Sequence, residues 1–198
     1  MKLSPFLTAL FLAGCAALVP TTAMQLSALS PLDADPAALG LALVLPGGIA
    51  VASGGVTMVI EAAYRGGGQS LRVAAKLESR DGDAAIGHQP GDSVTLYALS
   101  AADVVRLREL QRQVAIWNAQ DPGGTSGSFS LGVTACTVGG GPDSDAKGSA
   151  FVKTASGGRY FPLIDNAGLR SLIGAELYDD MAPCTPHPGF SADPFARH

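Results

Sequence analysis

Leu71-Arg72-Val73-Ala74-Ala75-Lys76-Leu77-Glu78 alternates apolar and polar side chains more cleanly than any other stretch of this 198-residue chain. Successive side chains of a strand point to opposite faces. Leu71, Val73, Ala75 and Leu77 therefore share one face, while Arg72, Lys76 and Glu78 share the other. A dry face backed by a wet one is the pattern of an antiparallel sheet laid over a core.

The neighbouring segments extend that sheet. Val56, Met58, Ile60 and Ala62 fall on one side of a strand, with Thr57 and Glu61 opposite. Together with residues 49–52 they flank Ser53-Gly54-Gly55, a spacing that predicts a hairpin. Residues 41–45 form a continuous apolar run closed by Pro46-Gly47-Gly48, as a buried strand would. Residues 94–99 supply another strand after the turn-rich segment 87–92. Strands resume at 128–138 and at 149–164, the latter as a hairpin around Ser156-Gly157-Gly158.

Two segments change period. Ser100 and Asp103 form a capping box, and Leu107, Leu110, Val114 and Trp117 follow at helical spacing until Asp121-Pro122-Gly123-Gly124 ends the helix. Arg108 and Arg112, with Glu109 in reach of Arg112, belong to its solvated face. A second helix is expected from Asp165-Asn166, both good N-caps, with Leu169, Leu172, Ile173 and Leu177 as its apolar side, ending before Pro183. The predicted fold is α+β and mainly β: an antiparallel sheet or small sandwich of about seven strands with two packed amphipathic helices. Abundant Gly (25) and Pro (13), with only 15% charged residues, suit short strands joined by tight turns better than a helical bundle.

The beginning of the chain carries a different signal. Met1-Lys2 is a short positive region, residues 3–12 are apolar, and Leu12-Ala13-Gly14-Cys15 follows. This stretch resembles the lipobox of bacterial lipoproteins, cleaved before a cysteine that becomes diacylglycerol-modified. The resemblance covers residues 1–16 only and implies a signal peptide at 1–14, lipidation at Cys15 and a membrane partner through that lipid. Lipoproteins held at the inner membrane tend to carry Asp after the cysteine. Ala16 stands there instead, which implies the periplasmic face of an outer membrane. Buried acyl chains contribute about 0.8 kcal/mol per methylene, so several of them make release negligible. A permanent transmembrane helix needs about 20 apolar residues, and this run is broken by Pro5, Gly14 and Pro20. The alternative address is soluble periplasmic, after ordinary cleavage following Ala23, which Thr21 and Ala23 also fit. Residues 15–37 then serve as lipidated N-terminus and tether, and 38–198 as one globular domain with a Pro-rich C-terminal strap.

With Cys15 assigned to lipid, Cys136 and Cys184 remain, and an exported pair most simply forms a structural disulfide. They lack the C-x-x-C spacing of a redox pair. Closing a loop of that length contributes about 4 kcal/mol in the chain-entropy model.

Formal net charge is −4 without a Lys/Arg run, which argues against nucleic acid and against a polybasic lipid contact. Chemistry-bearing patterns are sparse. His88 lies in a Gly/Pro turn; Asp92 and the serines at 126–130 are its candidate companions for a hydrolase, but no G-x-S-x-G elbow exists. Asp143-Ser144-Asp145 looks like the opening of a calcium loop, yet Lys147 and Thr154 stand where oxygen ligands belong. Asp81 and Asp83 suit a turn, and His187 and His198 lack ligand spacing. The glycine runs 66–68 and 139–141 lack the lysine of a phosphate loop, and aromatics (6%) are too few for a sugar-stacking platform. Glu176, Asp179 and Asp180 are unusual because carboxylates near a helix C-terminus oppose its dipole, and they mark a candidate cation or partner contact. No metal site and no cofactor are expected. The expected function is a non-enzymatic binding or structural component of the envelope with a protein partner. Alternatives are an envelope hydrolase centred on His88 and a carrier of a small apolar ligand.

Overall fold

A computed structural model of the chain describes Leu32, residues 34–82 and residues 84–185. The lipobox, Cys15, Ala16, Ala23, Asp83, His187 and His198 lie outside the described residues. Strands β1 (Gly40–Leu45), β2 (Ile49–Tyr64), β3 (Gln69–Lys76), β4 (Glu78–Arg80) and β5 (Ser93–Ala98) lead to helix α1 (Ala101–Gln120). Then come β6 (Thr125–Thr137), β7 (Lys147–Lys153), β8 (Phe161–Gly168) and two short helices, α2 (Leu169–Ile173) and α3 (Ala175–Asp179). Among the described residues the eight strands form two antiparallel sheets, of order β4-β5-β1-β7-β8 and β3-β2-β6.

The main core fills the space between the sheets. Val56, Met58, Ile60 and Ala62 of β2 and Val73 and Ala75 of β3 meet Leu41 and Leu43 of β1, with the α1 stripe packed in. Each of Leu107, Leu110, Val114 and Trp117 is buried, and the Trp117 ring stacks on Tyr64 at 5.7 Å. Ser100 caps α1 by accepting from the Asp103 N–H at 3.1 Å while its hydroxyl donates to the Asp103 carboxylate at 2.8 Å. On the exposed side Arg112 pairs with Glu109. The continuous run at 41–45 is explained by position: β1 is central, and its other face packs Ala42 and Val44 against Ile86 of the 81–92 loop.

Ser53-Gly54-Gly55 does not turn the chain. Residues 49–52 and 56–64 are one strand, β2, and both halves pair with β6. The register slips between Val51 and Val56, so the glycines form a bulge. The Gly54 φ of +63° serves a bulge as well as a turn. A Cβ on Gly55 would lie 2.7 Å from the carbonyl oxygens of both Ala52 and Thr134. The hairpin expectation failed because the residues that pair with β2 on both sides of these glycines lie about eighty positions downstream, out of reach of a local pattern.

The second helix also differs. Asp165 and Asn166 belong to β8, where the Asn166 N–H donates to Ser149 Oγ at 2.8 Å. The helix starts at Leu169 and is cut at Gly174, whose φ of 94° is not helical. Two five-residue helices cannot carry one continuous apolar stripe.

Both ends of the described chain are fastened. Residues 34–38, the end of the expected tether, dock on α1: Asp35 pairs with Arg108 at 3.1 Å, and the Ala34 carbonyl accepts from Gln111 at 2.7 Å. Cys136 and Cys184 are disulfide-bonded, Cα–Cα 4.8 Å. The strap they hold bonds to β6, with the Thr137 N–H donating to the Ala182 carbonyl and the Cys184 N–H to the Thr137 carbonyl, both at 2.9 Å.

Candidate functional site

The α2/α3 end of the molecule is built from β8 outward. Leu169 opens α2 under Gly148 of β7, where an added Cβ would approach its Cδ2 to 2.9 Å, and its N–H donates to the Ala146 carbonyl. Leu169 and Tyr178 then bury themselves with Ile49, Leu45 and Met181. The Tyr178 hydroxyl donates to the Asp143 carbonyl at 2.6 Å, pinning α3 to the Gly-rich loop before β7. Burial, reinforced by the carboxylates of Asp143, Asp145 and Asp179, pushes the Tyr178 hydroxyl above its ordinary range.

Those two anchors leave the other apolar side chains outside. Leu172 and Ile173 are 36% and 38% exposed, and Leu177 is 71% exposed. Their sequence spacing places them on the inner side of a continuous helix. All three are exposed, and in sequence they lie in the same short segment as the exposed acids Glu176, Asp179 and Asp180.

The three acids play different parts. Asp179 is clamped by Arg170, whose Nη2 and Nε reach its two carboxylate oxygens at 2.6 and 3.2 Å. The hydrogen bond from Arg170 holds the Asp179 carboxyl below its ordinary value. Asp180 closes α3 as C-cap, its N–H donating to the Glu176 carbonyl at 3.0 Å. The Glu176 side chain is exposed in the first turn of α3, where a carboxylate suits the helix dipole. The expected conflict with the dipole is thus removed for Glu176, because the helix break makes it N-terminal. Arg170 was not foreseen: its nine-residue separation from Asp179 matches no helical spacing and becomes a contact only through the break.

The other candidates are dispersed. His88 is exposed, and its Nδ1 lies 3.1 Å from the Ile86 carbonyl two residues away. Asp92 accepts from the Gln89 N–H at 2.9 Å, closing the same turn, while the serines at 126–130 sit on β6 in the other sheet. Among the described residues no three His, Cys, Asp or Glu side chains converge as metal ligands do. No described helix is long and apolar enough to cross a membrane. An apolar cleft opens between the sheets against Leu41, Met58, Phe129, Leu131 and Val152, with a volume of about 30 Å³. That is room for a water molecule or two, against several hundred Å³ for a ligand site.

No family model, no curated protein and no solved structure matches this chain.

Proposed function

We propose that the protein is a lipid-anchored envelope component that works by binding another protein, with the α2/α3 end as its docking face. The observation that supports this reading is the exposure of Leu172, Ile173 and Leu177 beside Glu176, Asp179 and Asp180. Large apolar side chains left in water favour being covered, and apolar residues interspersed with charged ones suit an interface. The acids select the partner's chemistry: an apolar knob flanked by Lys or Arg. The lipid at Cys15 would hold this face within the periplasm, at the outer membrane.

The hydrolase and carrier alternatives draw less support. His88 contacts a backbone carbonyl rather than an acid or a nucleophile, and the intersheet cleft is of water size.

Two measurements test the reading. Mass spectrometry of the mature N-terminus is expected to find diacylglycerol on Cys15, lost in Cys15→Ala; an unmodified chain beginning at Met24 would place the protein free in the periplasm instead. Affinity purification from solubilised envelopes is expected to recover a protein partner whose yield falls at least about tenfold in Leu177→Arg, the equivalent of 1.4 kcal/mol. Equal recovery with Leu177→Arg would remove the docking face from the account.

A further inference from the structure

The two sheets present four edges among the described residues, and three of them are blunted. The β3 edge carries Arg72 and Lys76 and is covered at Ala74, whose carbonyl accepts from Arg106 of α1 at 3.2 Å. The β4 edge is only three residues long and charged at Glu78 and Arg80. The β8 edge contains Pro162 and Asp165, and its pairing with β7 is irregular. Charge, proline, shortness and irregularity are the devices by which proteins keep sheet edges from pairing with other chains. The β6 edge is long and carries neither charge nor proline; the one slip in its pairing with β2 is a bulge on the β2 side. Its thirteen residues, Thr-Ser-Gly-Ser-Phe-Ser-Leu-Gly-Val-Thr-Ala-Cys-Thr, include no charge and no proline.

The polar groups of that edge can be counted. At Thr137 both the N–H and the C=O turn away from β2 to the strap. The Gly124 carbonyl accepts from Arg65, and the Thr134 carbonyl points at Gly55, so even-numbered residues face β2. Odd-numbered residues 127–135 therefore turn their N–H and C=O outward, and among the described residues no strand pairs with them, although the Leu32 side chain lies against Gly127. The strap closes the edge at Thr137 only.

We infer that β6 is a self-pairing edge, joining two copies of this chain antiparallel about Leu131 into a continuous six-stranded sheet. The sequence is self-complementary in that register. Leu131 meets Leu131, Phe129 meets Val133 and Gly127 meets Ala135 on the core side, all with outward-facing polar groups. Up to about ten ladder hydrogen bonds result. On the solvent side Ser130 opposes Gly132 and Ser128 opposes Thr134. An aromatic opposite a β-branched residue is a favoured cross-strand pair, and no like charges meet. Val133, 45% exposed in the single copy, is covered by Phe129 of the other. A two-fold axis makes this contact closed, so the product is a dimer rather than a fibre. The inference stands apart from the α2/α3 docking face and does not depend on it.

The test uses the full chain in detergent. Sedimentation is expected to show a dimer at micromolar concentration. Ser130→Lys, which places two ammonium groups on diagonal positions across the axis, should raise its dissociation constant about tenfold, whereas Ser130→Thr should not. Each variant is first checked for an unchanged circular dichroism spectrum and Tm. Mixed and oxidised, Ser128→Cys and Thr134→Cys should cross-link to each other, since directly opposed residues of a non-hydrogen-bonded pair sit about 4.5 Å apart. Neither should link to itself beyond the unsubstituted chain, the control for Cys15. A monomer at every concentration, including one whose edge is filled by its own N-terminal residues, overturns the inference. So does a dimer that Ser130→Lys leaves intact and the mixed cysteines fail to trap.

Discussion

Single residues carry the clearest physical signals here when their partners are close in sequence. The Ser100/Asp103 cap and the α1 stripe sit three to four residues apart, and the structure places them as their spacing required. Asp179 and Arg170 meet only because Gly174 breaks the helix, and a local pattern holds no trace of that. Two consequences follow at this scale. The Asp179 carboxyl, lowered by the Arg170 hydrogen bond, contributes stability that is present above its ordinary value of 3.8 and is lost as pH falls through the lowered one. Arg170→Gln should return its NMR titration midpoint to near 3.8, and an unchanged midpoint would refute the clamp. Burial separates two leucines that look alike in sequence. Leu110→Ala, at 3% exposure, should cost about 2–5 kcal/mol in denaturant unfolding. Leu177→Ala, at 71% exposure, should change stability by less than about 0.5 kcal/mol.

Elements were legible wherever one face is wet and one dry. The alternation at 71–77 and at 56–62 appears as burial of Val73, Ala75 and Leu77 and of Val56, Met58, Ile60 and Ala62. Glycine was ambiguous, because positive φ is the currency of turns and bulges alike. Ser53-Gly54-Gly55 is a bulge, while the equivalent Ser156-Gly157-Gly158 lies in the connection between β7 and β8. What distinguishes them is whether a third strand spans both arms. The bulge can be tested by Gly55→Ala. The added methyl meets two backbone oxygens at 2.7 Å, neither of which can swing aside as a side chain does. Thermal unfolding should show a loss of about 1–3 kcal/mol; a neutral result would mean that the bulge relaxes freely.

For the whole molecule, the mainly-β α+β class was readable from alternation, Gly/Pro content and low charge, and the Cys136–Cys184 bond from counting cysteines. Strand order was not readable. β1 lies between β5 and β7, and β2 pairs with β6 as well as with its neighbour β3; the β1–β5, β1–β7 and β2–β6 pairings join strands far apart in sequence. Of the proposed docking face, the sequence marks Glu176, Asp179 and Asp180 as charges, whereas Leu172, Ile173 and Leu177 read as core by their spacing. Their exposure arises at the level of the assembled fold, where Leu169 and Tyr178 alone suffice to seat α2 and α3. The central claim is that this end binds a protein in the envelope. Its most direct test is a photo-crosslinking amino acid placed at Leu177 in intact cells, with the same probe at exposed Glu78 on the β4 edge as reference. The account predicts that Leu177 traps one discrete envelope protein, that Glu78 does not, and that Glu176→Lys weakens the trapping. Absence of a product at Leu177, or the same products at both positions, would contradict it.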